Sequence, residues 1–326
     1  MAVQVELNVR YMEACSGRRV GASPRRSAVS VKRVRVSPDG ELVKIPWHQA
    51  DIRSGSDHIE IAEVDSPRAL IHARFRSGGD GEPNGVLVVG NLDFDAGRTK
   101  ETPGAMGRPF PRLRWAEKES REVAAITRKQ GLDAVWLAGS EASKQAVFSR
   151  LRDASYVHFA THGFANGEAE VGLKGRSWEV GVTSRVVREP LLDSGLALSG
   201  ANVRDRTSLE TAGVLTAEEL LDADLSRTKL VVLSACRTGL GLSTPAQGVM
   251  GLRSALSAAG ASKMLLSLWS VDDEATSLLM TSFYRALWED KLPLWQALRS
   301  AQYKVRAIAR FRAPRFWAGW VIVDAE

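Results

Sequence analysis

From Gly85 onward, short unbroken apolar runs alternate with stretches of helical periodicity. The runs are Val86–Gly90 (VLVVG), Ala134–Ala138, Tyr156–Ala160, Lys229–Ser234, Lys263–Trp269 and Trp317–Val323. They lack polar alternation, as expected of strands covered on both faces. Between them, helices are predicted over Ala116–Gln130, Ser143–Leu151, a segment beginning at Thr216, Gly248–Ala259, Asp272–Trp288 and Leu294–Ala309. Gly131 is placed to stop the first of these, and Glu218 and Glu219 suit the first turn of the one at Thr216. Strands alternating with helices of this length give an α/β fold: a largely parallel sheet with helices on both faces. Upstream the pattern differs. Val31–Ile45 reads as two short strands around Ser37-Pro38-Asp39-Gly40, a hairpin signal, and residues 57–75 carry short, partly alternating apolar runs. Ser77–Gly85, Ala96–Leu113 and Gly163–Gly213 are rich in Gly and other turn formers and read as loops, with Leu191–Leu198 a further candidate strand.

Composition narrows the class. The chain has 326 residues, 44% of them hydrophobic and 25% charged, as in a globular protein with a full core. No apolar run approaches the roughly 20 residues of a membrane span, and no secretory core opens the chain. Its two cysteines, Cys15 and Cys236, are too few for a disulfide-stapled secreted domain, and neither has a CxxC neighbour. A cytoplasmic protein without membrane contact is expected. The charge of +6 is uneven: residues 1–40 hold eight Lys/Arg against three acids. Residues 1–30 are expected to be a basic, poorly ordered leader, able to meet an anionic partner but without interleaved aromatics. The rest is nearly neutral, so nucleic acid is not its expected partner.

The chemistry is expected where the strands end, because open parallel sheets bind ligands outside the carboxyl ends of their strands. Tyr156–Ala160 runs directly into Thr161-His162-Gly163. Lys229–Ser234 runs directly into Ala235-Cys236-Arg237-Thr238-Gly239. A histidine at one strand end and a cysteine at another can meet there although 74 positions apart, as a Cys/His nucleophile pair requires. A nucleotide-binding reading is weak. GLGLS (239–243) and GGDGE (78–82) satisfy no phosphate-loop spacing, and no GxGxxG follows a strand.

The blocks VHFATHGF (157–164) and LVVLSACRTGLG (230–241) resemble the CHAT domain, a caspase-like peptidase group related to separases. The resemblance continues through residues 248–276 to WAGWVIV (317–323), and more weakly upstream through VVGNLDF (88–94) to SPDGELVKIPWH (37–48). It implies a caspase-hemoglobinase-like domain over 31–326, with a small N-terminal β region (31–85) and a catalytic core (86–326). It also implies that Cys236 is the nucleophile, His162 its general base, and the N–H groups of Gly163 and Cys236 the oxyanion hole. The loop SLWSVDDEAT resembles the separase loop whose acid lines the pocket for the residue before the cleaved bond. By that likeness Asp273, or else Asp272, would favour a basic residue there, with Trp269 walling the cleft. Both acids also sit where a helix favours N-terminal acids.

Peptide-bond hydrolysis by a Cys-His dyad, through a thioester and without metal or organic cofactor, is the expected reaction. A protein is the expected substrate, with an upstream sensor or regulatory chain as a further partner and bacterial defence or death signalling as the setting. The alternative is the same fold serving as an idle signalling or scaffold module. His158, four residues before His162, lies along a strand with no HExxH pattern, so a buried, hydrogen-bonded role is expected rather than a metal site. Cys15 lacks a partner pattern, and Arg237 is placed either to bias the thiolate or bind substrate backbone, or else to face solvent or pair in the core.

Overall fold

The computed structural model describes residues 33–38, 45–49, 52–54, 57–64, 85–98, 110–165, 191, 194–203, 213–234, 242–244 and 248–324. Its elements are β1 (Arg33–Val36), β2 (Ile52–Ser54), β3 (Asp57–Val64), β4 (Gly85–Leu92), α1 (Arg114–Lys129), β5 (Asp133–Gly139), α2 (Lys144–Leu151), β6 (Ala154–Ala160), β7 (Gly163–Ala165), β8 (Ser194–Ala197), β9 (Val214–Thr216), α3 (Ala217–Leu221), β10 (Leu230–Ser234), β11 (Leu242–Thr244), β12 (Gly248–Met250), α4 (Leu252–Ala258), β13 (Lys263–Ser267), α5 (Asp273–Tyr284), α6 (Leu294–Ala307) and β14 (Trp320–Asp324).

The main sheet runs β1-β3-β14-β13-β10-β6-β4-β5, with β2 paired to β3. The run β13-β10-β6-β4-β5 is parallel throughout, so these strands all end on one rim. Both faces are apolar. Leu87, Val89, Val157, Phe159, Val231 and Leu233 pack with residues of α2, α3 and α4 on one side. Val86, Val88, Leu230, Val232 and Leu265 pack with residues of α1, α5 and α6 on the other. Period-2 alternation between two dry faces explains why these strands read as unbroken apolar runs. Each fully buried side chain of this size stabilises the fold by about 1.5–3 kcal/mol. The expected α/β architecture, a mostly parallel sheet with helices on both faces, is therefore present.

Helix ends follow local chemistry. Ser143 caps α2 by accepting from the Ala146 N–H. Thr216 and Glu219 form a reciprocal capping box on α3. Gly131, just past α1, holds φ +74°, the left-handed value that ends a helix.

One sequence expectation needs correction. Gly248–Ala259 is not one helix: Gly248–Met250 is β12, antiparallel to β11, and the helix starts only at Leu252. Gly251, at φ 134°, turns the chain between the two, a conformation closed to most side chains. Small residues satisfy helical periodicity and strand pairing equally well there, and the pairing with β11 decides. Upstream, the described partner of β1 is β3, in parallel. The second arm of the expected hairpin lies largely outside the described residues. The N-terminal strands thus extend the main sheet: β3 joins β14 in parallel through Val323↔Glu63 and Asp324↔Val64. The leader 1–30 and most of the loops at 77–85, 96–113 and 163–213 lie outside the described residues.

Candidate active site

β6 and β10 are hydrogen-bonded neighbours in parallel register, Leu230 opposite Tyr156 through Ser234 opposite Ala160. The pairing continues one step past β6, where the Thr161 N–H donates to the Ser234 carbonyl at 3.3 Å. His162 follows directly. Cys236 itself lies outside the described residues, two positions beyond Ser234, as do Cys15, Arg237 and His72. Along the chain, positions 162 and 236 each stand two residues beyond a member of the last described pair, Ala160 and Ser234.

His162 is half-buried in a cage of rings. Its imidazole centroid lies 5.3 Å from that of Phe94 and 5.5 Å from that of Phe110, and Phe94 and Phe110 are 6.0 Å apart. Nε2 lies 2.7 Å from the Pro111 carbonyl oxygen. A carbonyl only accepts, so Nε2 carries the hydrogen in that contact. In the neutral ring this leaves the lone pair on Nδ1. Burial lowers the His162 pKa below its ordinary 6.5, and the Pro111 carbonyl partly restores it by stabilising the cation. The arrangement yields an imidazole with a defined tautomer and an acceptor nitrogen.

Gly163 opens β7, which pairs antiparallel with β8 in the register Gly163↔Leu196. The Ala197 N–H donates to the His162 carbonyl at 2.9 Å. That bond makes Gly163 and Leu196 a non-hydrogen-bonded pair, whose own amides point away from the partner strand. The Gly163 N–H therefore faces away from β8, beside the imidazole that precedes it. Thr161, buried at 2% exposure, ties the same corner by donating its hydroxyl to the Ala197 carbonyl.

The acids of the loop after β13 both hold helix starts. Asp272 caps α5, its carboxylate accepting from the Ala275 N–H at 2.9 Å. Asp273 reaches the first turn of the neighbouring α1, its Oδ2 accepting from the Trp115 N–H at 3.1 Å. Leu113, at the head of α1, offers no side-chain cap, so Asp273 supplies an acceptor from another element. Burial raises the Asp273 pKa first; the Trp115 amide opposes this, while Glu119 and Asp272 add to it. The Trp269 indole donates Nε1–H to the Arg315 carbonyl at 2.8 Å. Its ring lies where a Cβ on Gly319 would come within 2.5 Å of it, so Gly319 is what admits it.

His158 has the structural surroundings expected of it. It is fully buried, with Nε2 3.0 Å from a Glu119 carboxylate oxygen and Nδ1 3.2 Å from the Tyr284 hydroxyl. The Tyr284 hydroxyl is placed to donate to Nδ1, and Nε2 faces the Glu119 carboxylate. Sequence reasoning did not identify Phe94, Phe110, Pro111 or Asn202, all of which surround or support His162. No helix among the described residues is long and apolar enough to cross a membrane.

Comparison with known proteins extends this picture. The CHAT domain family matches residues 17–325. Tetratricopeptide repeat protein 28 of Homo sapiens is 32% identical over 234 residues, covering 65% of this chain. The Mus musculus protein of the same name is 32% identical over 218 residues. In both cases the match covers only 9% of the relative's length. Among solved structures, the complex of Porphyromonas gingivalis RgpB pro- and mature domains superposes with TM-score 0.53 at 10% identity, covering 92% of this chain and 65% of that one. A crystal structure of the Arg specific cysteine proteinase gingipain R gives TM-score 0.49 at 9% identity, over 85% and 57% of the two chains. The chain belongs to the CHAT domain family.

Proposed function

We propose that the chain is a cysteine endopeptidase in which His162 is the general base for Cys236. The observation that carries this reading is the polarity of His162: with Nε2–H given to Pro111, Nδ1 is the nitrogen free to take a thiol proton. The shared register of β6 and β10 supports the pairing with Cys236.

The proposed course follows from these roles. Nδ1 takes the Sγ proton, and the thiolate attacks the peptide carbonyl carbon. The oxyanion is received by the N–H groups of Gly163 and Cys236, each donor worth about 3–4 kcal/mol of barrier. The imidazolium returns the proton to the leaving amine, giving a thioester. Water, deprotonated by the same nitrogen, then hydrolyses the thioester and frees the thiol. Glycine at 163 keeps a Cβ away from the approaching carbonyl. No cofactor enters this scheme.

A basic residue before the cleaved bond is proposed to meet Asp273 through the carboxylate oxygen that Trp115 does not use, with Asp272 as the second acid and Trp269 as a wall of the cleft. A protein substrate, an upstream sensor chain and a place in bacterial defence or death signalling complete the proposal on family resemblance alone.

The test is labelling with a thiol-directed peptidyl electrophile and location of the adduct by mass spectrometry. Modification of Cys236 that is lost in His162→Ala is the expected result. An unreactive Cys236, or labelling indifferent to His162→Ala, would leave the idle-scaffold reading in its place. New protein N-termini made by the wild type and not by Cys236→Ala would then define the substrate and the preceding residue.

A further inference from the structure

We propose that Asn202 is a positioning residue for His162, acting as the clamp that locks the strap behind the imidazole; this rests on the Cys-His reading and deepens it. Asn202 is 3% exposed and lies far from His162 in sequence. Its side-chain amide grips the backbone of Phe110 at two points. The Phe110 N–H donates to Oδ1 at 2.7 Å, and Nδ2 donates to the Phe110 carbonyl at 3.1 Å. Nδ2 also lies 3.4 Å from an Asp95 carboxylate oxygen. The backbone of Asn202 holds the other side of the cage: its N–H donates to the Phe94 carbonyl at 2.8 Å.

One residue therefore fastens both rings that flank His162. It also fixes the peptide immediately before Pro111, the residue whose carbonyl receives Nε2–H. An amide suits this task because it presents a donor and an acceptor side by side, as a neighbouring strand would. The transmission is stiff for a specific reason. Between the clamped Phe110 carbonyl and the Pro111 carbonyl only two backbone angles intervene, and the proline ring locks the first near −65°. Beyond Pro111 the strap is fastened again, where Asp273 accepts from the Trp115 N–H. A carbonyl held from both sides presents a fixed acceptor, and the tautomer of His162 follows from it.

Asn202→Ala removes both side-chain bonds. Asn202→Thr keeps most of the volume and a hydroxyl without adding a charge beside Asp95, but cannot bond both Phe110 backbone groups side by side, and it is the milder variant should alanine not fold. The full chain, labelled with ¹⁵N-histidine, is compared across wild type and both variants, with His162 signals assigned from His162→Gln. In wild type, Nε2 is expected to be the protonated nitrogen and Nδ1 the bare one at neutral pH. In a folded variant the two signals are expected to move toward the mixture of free imidazole. Alkylation of Cys236 by iodoacetamide is expected to slow about tenfold or more, as a misplaced base does. Wild-type His162 signals in a folded variant, whatever its melting temperature, would overturn the proposal, since mere loop support does not act on a tautomer. The nitrogen signals are read independently of the thiol. Alkylation that ignores His162→Ala would sink the dyad, whereas unchanged signals sink the clamp.

Discussion

Burial beside Phe94 and Phe110 makes the imidazolium of His162 costly, the Pro111 carbonyl favours it, and burial is the larger effect. A base displaced downward is neutral throughout the range above 6.5. Alkylation of Cys236 followed from pH 5 to 9 is thus expected to show its His162-dependent acidic limb below 6.5. A limb centred above 7 would mean that the cage does not control the ring. The same displacement contributes stability that is present above the unfolded value and lost as pH falls through the folded one. His162→Gln keeps an N–H for Pro111 but supplies no base. Cleavage is expected to fall by about 10²–10⁴-fold, the worth of general base catalysis. Unfolding free energy should change by no more than about 1 kcal/mol, since one net hydrogen bond is at stake. The sequence placed His162 and Gly163 directly past an apolar strand, where they stand, while Cys236 lies outside the described residues. Pro111 was not legible there, because its contribution is a backbone carbonyl, which every residue has. Asn202 was equally hidden: a buried amide in an irregular stretch differs from a loop asparagine only through its distant partner, Phe110.

The starts of α1 and α5 meet at Asp273, whose carboxylate serves α1 from the first residue of α5. Two roles can be separated there by charge. Asp273→Asn retains an oxygen for the Trp115 N–H, so the fold should hold while any preference for a basic residue before the cleaved bond is lost. Asp273→Ala also leaves the Trp115 N–H without its acceptor and should cost about 1 kcal/mol, the usual worth of a lost cap. Thermal melts of both variants beside their cleavage-site profiles test this; an unchanged profile in Asp273→Asn would remove Asp273 from recognition. Deeper between the same helices and β6, Tyr284 donates to His158. Tyr284→Phe strands Nδ1 without a donor and is expected to cost about 1–3 kcal/mol, with alkylation of Cys236 unaffected in the folded protein. At this scale, buried strands were the most legible elements, since unbroken apolar runs such as LVVLS have few other uses. Gly248–Met250 was misread because its pairing with β11 is a tertiary fact. The role of Asp273 was half legible: acids at a helix start were read as serving α5, while its bond to α1 depends on how two helices pack.

Across the whole molecule, the N-terminal strands are fastened to the α/β core by buried groups that titrate in opposite senses. Glu63 in β3 is 1% exposed, and burial raises its pKa to about 7, against the pull of Arg253 in α4 and the Trp47 amide. Arg253, itself buried, donates to the neighbouring Val64 carbonyl at 3.2 Å, so α4 grips the end of β3 where β3 meets β14. His48, in the short turn Trp47–Gln49, has its pKa lowered to about 4, first by burial and then by Arg299 of α6, with Gln302 opposing. The signs follow from proton counts. Neutral Glu63 contributes stability that is complete below about 4.5 and lost as pH rises through about 7. Neutral His48 contributes stability that is present above 6.5 and lost as pH falls toward about 4. The two slopes oppose each other over the same range, so the part due to Glu63 is read as a difference between the wild type and a variant that cannot ionise. In urea unfolding from pH 5 to 8, the wild type is therefore expected to lose stability relative to Glu63→Gln as pH rises. The relative loss is expected to be on the order of 2–3 kcal/mol between pH 5 and 8, with less than about 1 kcal/mol of it above pH 6.5, because Gln cannot ionise. Parallel pH profiles for wild type and Glu63→Gln would show that Glu63 is already ionised in the fold, with Arg253 rather than a proton meeting the cost of its burial.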